Sequence, residues 1–128
     1  MRDLIRFGLG STRRVVVLGP VAFKFSRGKT GRKCNREEAR LWKENRTHPS
    51  RGSHLCPVLW SSRRGWLLVM SAAGPLPTAV TTAELYADDW WDYMPGGDDW
   101  PCEPKLADWG MFKGRIVAVD YAANALIR

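Results

Sequence analysis

The tail of the chain constrains the fold more than any other segment. Glu103 lies five residues before Asp108, and Asp120 follows Asp108 by twelve residues, at the end of an apolar run. The stretch between the last two acids predicts a β-hairpin that turns at Lys113-Gly114. Carboxylate oxygens around a short hairpin suit a divalent cation. The tail is therefore a candidate cation site.

Composition limits the class of protein. The chain has 128 residues, of which 45% are hydrophobic, and it contains seven tryptophans, which excludes a disordered chain. No apolar run approaches the ~20 residues of a membrane-spanning helix, and no signal-peptide core follows the N-terminus. Three widely spaced cysteines do not make a disulfide framework. We expect one compact cytoplasmic domain that does not bind a membrane.

Charge is divided unevenly along the chain. Residues 1–65 hold 16 basic and 4 acidic side chains, whereas residues 66–128 hold 4 basic and 9 acidic ones. Basic surfaces commonly bind nucleic acid by neutralising its phosphates. The same division fits a basic half that faces phosphates and an acidic half that holds a cation. Both interpretations stay open at this point.

Hydrophobic patterning predicts an α+β chain. Alternating and β-branched runs predict five strands and a final hairpin, over residues 4–9, 14–18, 21–25, 55–60, 65–70, 109–112 and 115–121. Asn35 followed by Glu38 is a capping box that predicts a helix to about Asn45. Thr81 with Glu84 predicts a second helix that ends near residue 93.

Two short motifs in the first half carry chemistry. Gly8, Gly10 and Val15 fit the pattern G-x-G-x-x-G-x-V, in which glycines let the backbone approach phosphates closely. Arg13 replaces the third glycine of that pattern. Residues 21–24, Val-Ala-Phe-Lys, match the pattern V-A-I-K.

The lysine of the second motif predicts an ion pair. Lys24 shares one face of its strand with Ala22, and a buried lysine needs an anionic partner. Glu38 is the predicted partner because Leu41 and Trp42, three and four residues further on, mark the packing face of the helix. The alternative is that the helix acids are exposed and the lysine lies at a sheet edge.

In order and spacing these motifs resemble those of protein kinases, and the chain looks like a very small relative of the protein-kinase-like fold, of the truncated kind found in bacteria and their phages. The resemblance implies an N-lobe in residues 1–73, with a five-stranded antiparallel sheet, one αC-like helix and a hinge. Residues 74–128 would form a much reduced C-lobe with a catalytic-loop-like segment and a metal-binding hairpin.

The resemblance also implies a nucleotide pocket. Lys24 would contact the α- and β-phosphates of ATP, and Glu38 would orient that lysine. Met70 would border the adenine pocket, whose polar contacts would come from the backbone up to Ala73. The implied cofactor-binding residues are Gly8, Gly10, Lys24, Glu38, Met70 and Ala73.

The catalytic and metal-binding roles fall on the tail. By the resemblance, Asp120 would hold Mg²⁺ against the phosphates, and Asp108 would be the second metal ligand. Glu103 would accept the proton of the substrate hydroxyl, and Lys105 would neutralise phosphate charge. The family places a shorter aspartate at position 103 and an asparagine at position 108, so both positions depart from its pattern.

Three functions are expected from these residues. The first is ATP- and Mg²⁺-dependent transfer of a phosphoryl group to a hydroxyl of a protein or small molecule, including the chain itself. The alternative is a catalytically impaired pseudokinase that binds a host or regulatory protein through Trp90, Trp91 and Trp100. The second alternative is a basic nucleic-acid-binding domain that uses residues such as Arg14 and Arg32, together with Arg13.

Overall fold

The chain is an α+β protein in which one long helix packs against an antiparallel sheet and a separate hairpin follows. The computed structural model describes residues 5–9, 12–85, 101–102 and 105–125, with side chains from residue 12 onward. Within these ranges no helix is both long and apolar enough to cross a membrane. The predicted class, α+β with an antiparallel sheet and one main helix, is confirmed.

The five strands of the main sheet come from the first and middle parts of the chain. They are β1 (Ile5–Leu9), β2 (Arg13–Leu18), β3 (Val21–Ser26), β4 (Val58–Ser61) and β5 (Leu67–Ser71). Across the sheet their order is β1-β2-β3-β5-β4, and all neighbours are antiparallel. The side chains of the four strands β2 to β5 are described. Strand β1 pairs through its backbone with the edge of β2 that does not face β3.

The main helix, α1 (Gly28–Asn45), begins before the predicted capping box. Asn35 and Glu38 are buried within the helix and do not cap its N-terminus, so that prediction is wrong. The glycine-containing stretch over residues 28–31 forms the first turn instead. Gly31 permits this because a Cβ at that position would lie 2.2 Å from the carbonyl oxygen of Thr12, so only glycine lets α1 approach β2 so closely.

The tail forms the predicted hairpin, with strands β6 (Trp109–Phe112) and β7 (Arg115–Ala118). The second strand ends before Asp120, so the prediction that it continues to Tyr121 is wrong. After Ala118 the backbone N–H groups of Val119 and Asp120 donate to the carbonyl oxygen of Asp108 instead of continuing the strand pairing. Asp108 is the last residue of a single 3-10 turn. Asp108 and Asp120 are thereby held at the same end of the hairpin.

The second predicted helix begins where the sequence places it. Helix α2 (Thr82–Leu85) follows Thr81, whose carbonyl accepts a hydrogen bond of 3.1 Å from the N–H of Glu84. The remainder of that predicted helix lies outside the described residues.

Strands β4 and β5 both begin later than predicted, and for β4 the reason is that the segment before it pairs elsewhere. Leu55 forms a parallel bridge with Ala118 of β7, and the N–H of Cys56 donates to the carbonyl of Ala118 at 2.9 Å. This bridge fastens the tail hairpin to the body of the protein.

The largest apolar cluster lies where helix, sheet and hairpin meet. Leu41 of α1 and Leu68 and Met70 of β5 are almost completely buried there, as is Tyr121 just beyond the hairpin. The hydroxyl of Tyr121 donates to the carbonyl of Cys56 at 2.9 Å, so the one polar atom of this buried ring is satisfied. The core therefore joins the last quarter of the chain to the first half.

The hairpin is attached a second time, to the connector that follows β5. Gly74 and Met111 exchange two backbone hydrogen bonds of 2.8 and 2.9 Å. Gly110 lies beneath this contact, because a Cβ there would lie 2.8 Å from both the Cβ of Ala73 and the carbonyl oxygen of Gly74. The spacing between connector and hairpin thus depends on a glycine at position 110.

We predict that Gly110→Ala lowers the free energy of unfolding by about 1–3 kcal/mol, because the added methyl group forces the hairpin away from the connector. Gly74→Ala is the matched control, since its Cβ would meet only the Met111 carbonyl oxygen, at 3.9 Å. Urea unfolding of the two variants measures the difference. If the two variants have equal free energies of unfolding, the hairpin does not pack tightly against the connector at Gly110.

Candidate functional site

A cleft of about 690 Å³ separates the sheet from the tail hairpin. Its sheet wall is one face of β2, β3 and β5, on which Val15 pairs across strands with Lys24, and Ala22 with both Val17 and Met70. Directly paired residues point to the same side of a sheet, so these side chains face the cleft together. The opposite wall comes from the connector and from both ends of the hairpin, including Ala73, Lys105, Asp108, Val119 and Asp120.

The ion pair predicted between Lys24 and Glu38 is present at the base of the cleft. Lys24 Nζ lies 2.9 Å from Glu38 Oε1, and both side chains are buried. Lys24 Nζ also donates to the carbonyl oxygen of Val119, the residue before Asp120. The lysine therefore links the sheet, the helix and the tail at one point.

Glu38 is fully buried, and its two oxygens accept four hydrogen bonds. The donors are Lys24, both terminal nitrogens of Arg13, and the backbone N–H of Tyr121 at 2.7 Å. Burial alone raises the pKa of Glu38, but the charges of Arg13 and Lys24 and their hydrogen bonds outweigh it and lower the pKa to about 2. The carboxylate is ionised throughout the physiological range.

Arg13 is the site residue that the motif search misses. Arg13 stands where the glycine motif has its third glycine, and it is only 5% exposed. Its Nη1 and Nη2 atoms lie 2.5 and 3.1 Å from the two carboxylate oxygens of Glu38. Nη2 also lies 3.0 Å from Asp120 Oδ1. Burial opposes its charge, yet Glu38 and Asp120 hold its pKa above the ordinary value for arginine. Arg13 is thus a permanent cation inside the cleft.

Alternation along β2 is the sequence signal that could have located this arginine. Arg13 is two residues before Val15 and four before Val17, so all three share the face that Lys24 also uses. The same burial leaves little of Arg13 on the surface, so this arginine lends no support to the predicted nucleic-acid-binding function.

Asn35 positions the two cations from the helix side. Its amide nitrogen donates to the carbonyls of Lys24 and Gly65, at 3.0 and 2.8 Å. Its oxygen accepts from Arg13 Nη1 at 3.2 Å. Every polar atom of this completely buried amide has a partner, which explains why an asparagine lies in the middle of α1.

The two predicted metal ligands lie at the mouth of the cleft. The backbone N–H of Asp120 lies 3.3 Å from the carbonyl oxygen of Asp108, and both residues line the cleft. The side chain of Asp120 is 47% exposed, and its Oδ1 faces Arg13. Burial raises the pKa of Asp120 and the Glu38 carboxylate raises it further, which Arg13 and Lys24 offset in part.

The predicted adenine-pocket residues Met70 and Ala73 also line the cleft. Met70 closes the sheet wall, and Ala73 lies on the connector beside the hairpin. Within the described part of the chain, the backbone N–H of Ala73 has no hydrogen-bond partner, whereas that of Ala72 donates to the carbonyl of Pro20. The connector therefore offers one backbone donor at the cleft edge.

The remaining predicted residues are only partly described. Gly8 pairs with Val15 in the β1–β2 ladder, and Lys105 is exposed and lines the cleft. Gly10 and Glu103 lie outside the described residues. The tryptophans of the predicted partner surface, Trp90, Trp91 and Trp100, lie outside them as well.

Comparison with known proteins identifies no relative: no family model, no curated protein and no solved structure matches this chain. The chemistry of the cleft has to be argued from its own residues. Charged side chains of both signs and the small apolar side chains of the sheet line the described part of the cleft, so it suits a ligand that carries both charged groups and an apolar part.

We predict that Glu38→Gln lowers the free energy of unfolding at pH 7 by about 3 kcal/mol, because it removes the charge that neutralises two buried cations. Because the pKa of Glu38 is lower in the folded than in the unfolded protein, its ionised carboxylate stabilises the fold at pH values above the unfolded-state pKa. This stabilisation disappears as the pH falls towards the folded-state pKa of about 2. Urea unfolding from pH 7 to pH 2 should show the gap between wild type and variant narrowing below about pH 4.5.

Glu44→Gln is the control for this series, because Glu44 is half-exposed and pairs with Arg40 only on the helix surface. Its effect should stay below about 1 kcal/mol at every pH. If the difference in the free energy of unfolding between wild type and Glu38→Gln does not change with pH, the role assigned to the charge of Glu38 is contradicted.

Proposed function

We propose that this chain is a minimal kinase-like protein whose cleft binds ATP. The observation that carries the proposal is the buried Lys24–Glu38 pair, which lies at the base of the same cleft as Asp120. In the protein-kinase pattern, a strand lysine paired with a helix glutamate faces an aspartate of the tail. A five-stranded N-lobe with a reduced C-lobe is part of this proposal.

The two ends of the cleft suit the two ends of a nucleotide. The phosphates would lie against Lys24, whose ammonium is held by Glu38 and so is fixed before the ligand arrives. The base would lie between the small apolar side chains of the sheet, such as Ala22, and the connector. The free N–H of Ala73, in the described part of the chain, would donate to a ring nitrogen. We place this activity in the cytoplasm, where ATP is available.

Transfer of the γ-phosphoryl group from ATP to a hydroxyl is the activity expected from the sequence. It would use Glu103 as the proton acceptor and Lys105 to neutralise phosphate charge. Mg²⁺ would need Asp108 and Asp120, whose carboxylates are the donor type that this ion prefers. The arrangement does not fit the ion, because Arg13 already holds Asp120 Oδ1. Moreover, the described residues include no group of three or more acidic, histidine or cysteine side chains that could hold a metal.

The Arg13–Asp120 pair favours the alternative function, a pseudokinase that binds a nucleotide and a partner protein without transferring phosphate. In this function the predicted partner surface contains Trp90, Trp91 and Trp100, because large aromatic side chains anchor protein interfaces. A nucleic-acid-binding function has less support. Arg13 is buried, and Arg32 stacks over Trp66, with 4.9 Å from its guanidinium carbon to the ring centroid.

We predict that ATP binds to the wild-type protein and that Lys24→Met weakens this binding by at least about tenfold, because the fixed ammonium is lost. Isothermal titration calorimetry with ATP measures both proteins. Lys29→Met is the control, since Lys29 is an exposed lysine at the start of α1 and should leave the affinity unchanged. The absence of ATP binding to the wild-type protein would refute the proposal.

Turnover separates the transferase from the pseudokinase. We expect the purified protein with ATP and Mg²⁺ to release no ADP beyond the background and to incorporate no phosphate, because Arg13 holds Asp120. A protein partner captured by the wild type and lost in Trp90→Ala would support the interaction function. ADP release that depends on Glu103 would instead establish the transferase.

A further inference from the structure

The position that kinase-like proteins give to a divalent cation is filled in this cleft by a side chain. Arg13 Nη2 lies 3.0 Å from Asp120 Oδ1, beside the carboxylate that the sequence predicts as a metal ligand. The guanidinium therefore already places positive charge at the point where Asp120 meets the cleft.

Arg13 is held in this position by groups that do not belong to the ligand. Glu38 binds it through two parallel hydrogen bonds, and Asn35 accepts a third. A planar guanidinium held in a two-point contact is fixed in orientation as well as in position. Its remaining terminal N–H points to Asp120, whose carboxylate is half-exposed.

We infer that Arg13 takes the place of the divalent cation, so that the cleft binds a nucleoside triphosphate without metal. This inference rests on the proposed ATP site. On binding, a phosphate oxygen replaces the Asp120 carboxylate on Nη2, while Glu38 keeps the guanidinium in position. Lys24 lies against the same carboxylate of Glu38 and supplies the second cation. No covalent bond changes in this exchange.

The charges around Arg13 favour this reading over a metal site. Three cationic side chains line the described part of the cleft, Arg13, Lys24 and Lys105, and Glu38 beneath them balances only one of the two charges of Arg13 and Lys24. A divalent cation between the two carboxylates at the mouth of the cleft would lie next to a guanidinium that cannot lose its proton. A phosphate group against Arg13 Nη2 meets the opposite charge of the guanidinium.

The test is calorimetric titration with ATP in EDTA and again in MgCl₂. Wild-type protein should bind ATP in EDTA with an affinity within about threefold of that in MgCl₂. Arg13→Gln should lose at least about tenfold in EDTA. Arg14→Gln is the matched control, because Arg14 is the next residue on β2, is exposed and points to the opposite face, so its affinity should not change.

Asp120→Asn gives a second test that does not remove a buried charge. It should bind ATP more tightly than wild type in both buffers, because the amide competes less well for Arg13 and no longer repels phosphate. If wild-type protein binds ATP only in MgCl₂ and Asp120→Asn does not bind ATP, the inference about Arg13 is overturned. The proposed ATP site would still stand. The absence of ATP binding to wild type in either buffer would overturn both.

Discussion

The structure depends on one buried carboxylate. Glu38 lies where β2, β3, α1 and the segment after β7 meet, and each of these elements gives it a hydrogen-bond donor or holds it directly. An isolated charge in such a place is strongly unfavourable, so the fold is stable only when Arg13 and Lys24 are drawn in with it. The folded state and the candidate site are therefore built from the same ion pairs.

This shared construction leaves the cleft with two cationic groups that are fixed in position. Arg13 and Lys24 cannot reorient freely because Glu38, Asn35 and the Val119 carbonyl hold them. Binding sites whose charges are fixed before the ligand arrives avoid the cost of ordering those side chains on binding. Asp120, which the sequence predicts as a metal ligand, belongs to the same network because its Oδ1 contacts Arg13.

The parts of the site that local rules govern can be predicted from the sequence. The alternation of β3 places Lys24 on the cleft face, and the packing face of the helix selects Glu38 as its partner. Arg13 escapes prediction because its burial depends on partners 25 and 107 positions away. The capping-box signal at Asn35 fails for a similar reason: buried bonds to β3 and to Gly65 outweigh a local preference. The hairpin is predicted, but its last residues follow hydrogen bonds to Asp108 that no strand pattern contains.

The parallel bridge between Leu55 and Ala118 affects how the protein reaches its native state. Together with the contact between Lys24 and Val119, which are 95 positions apart, it means that the first half of the chain cannot complete its core alone. Contacts of such long range slow folding, because much chain entropy is lost before they form. The N-terminal strands therefore lack these contacts until the segment around Ala118 and Val119 has folded onto them, and until then their apolar surfaces are open to aggregation.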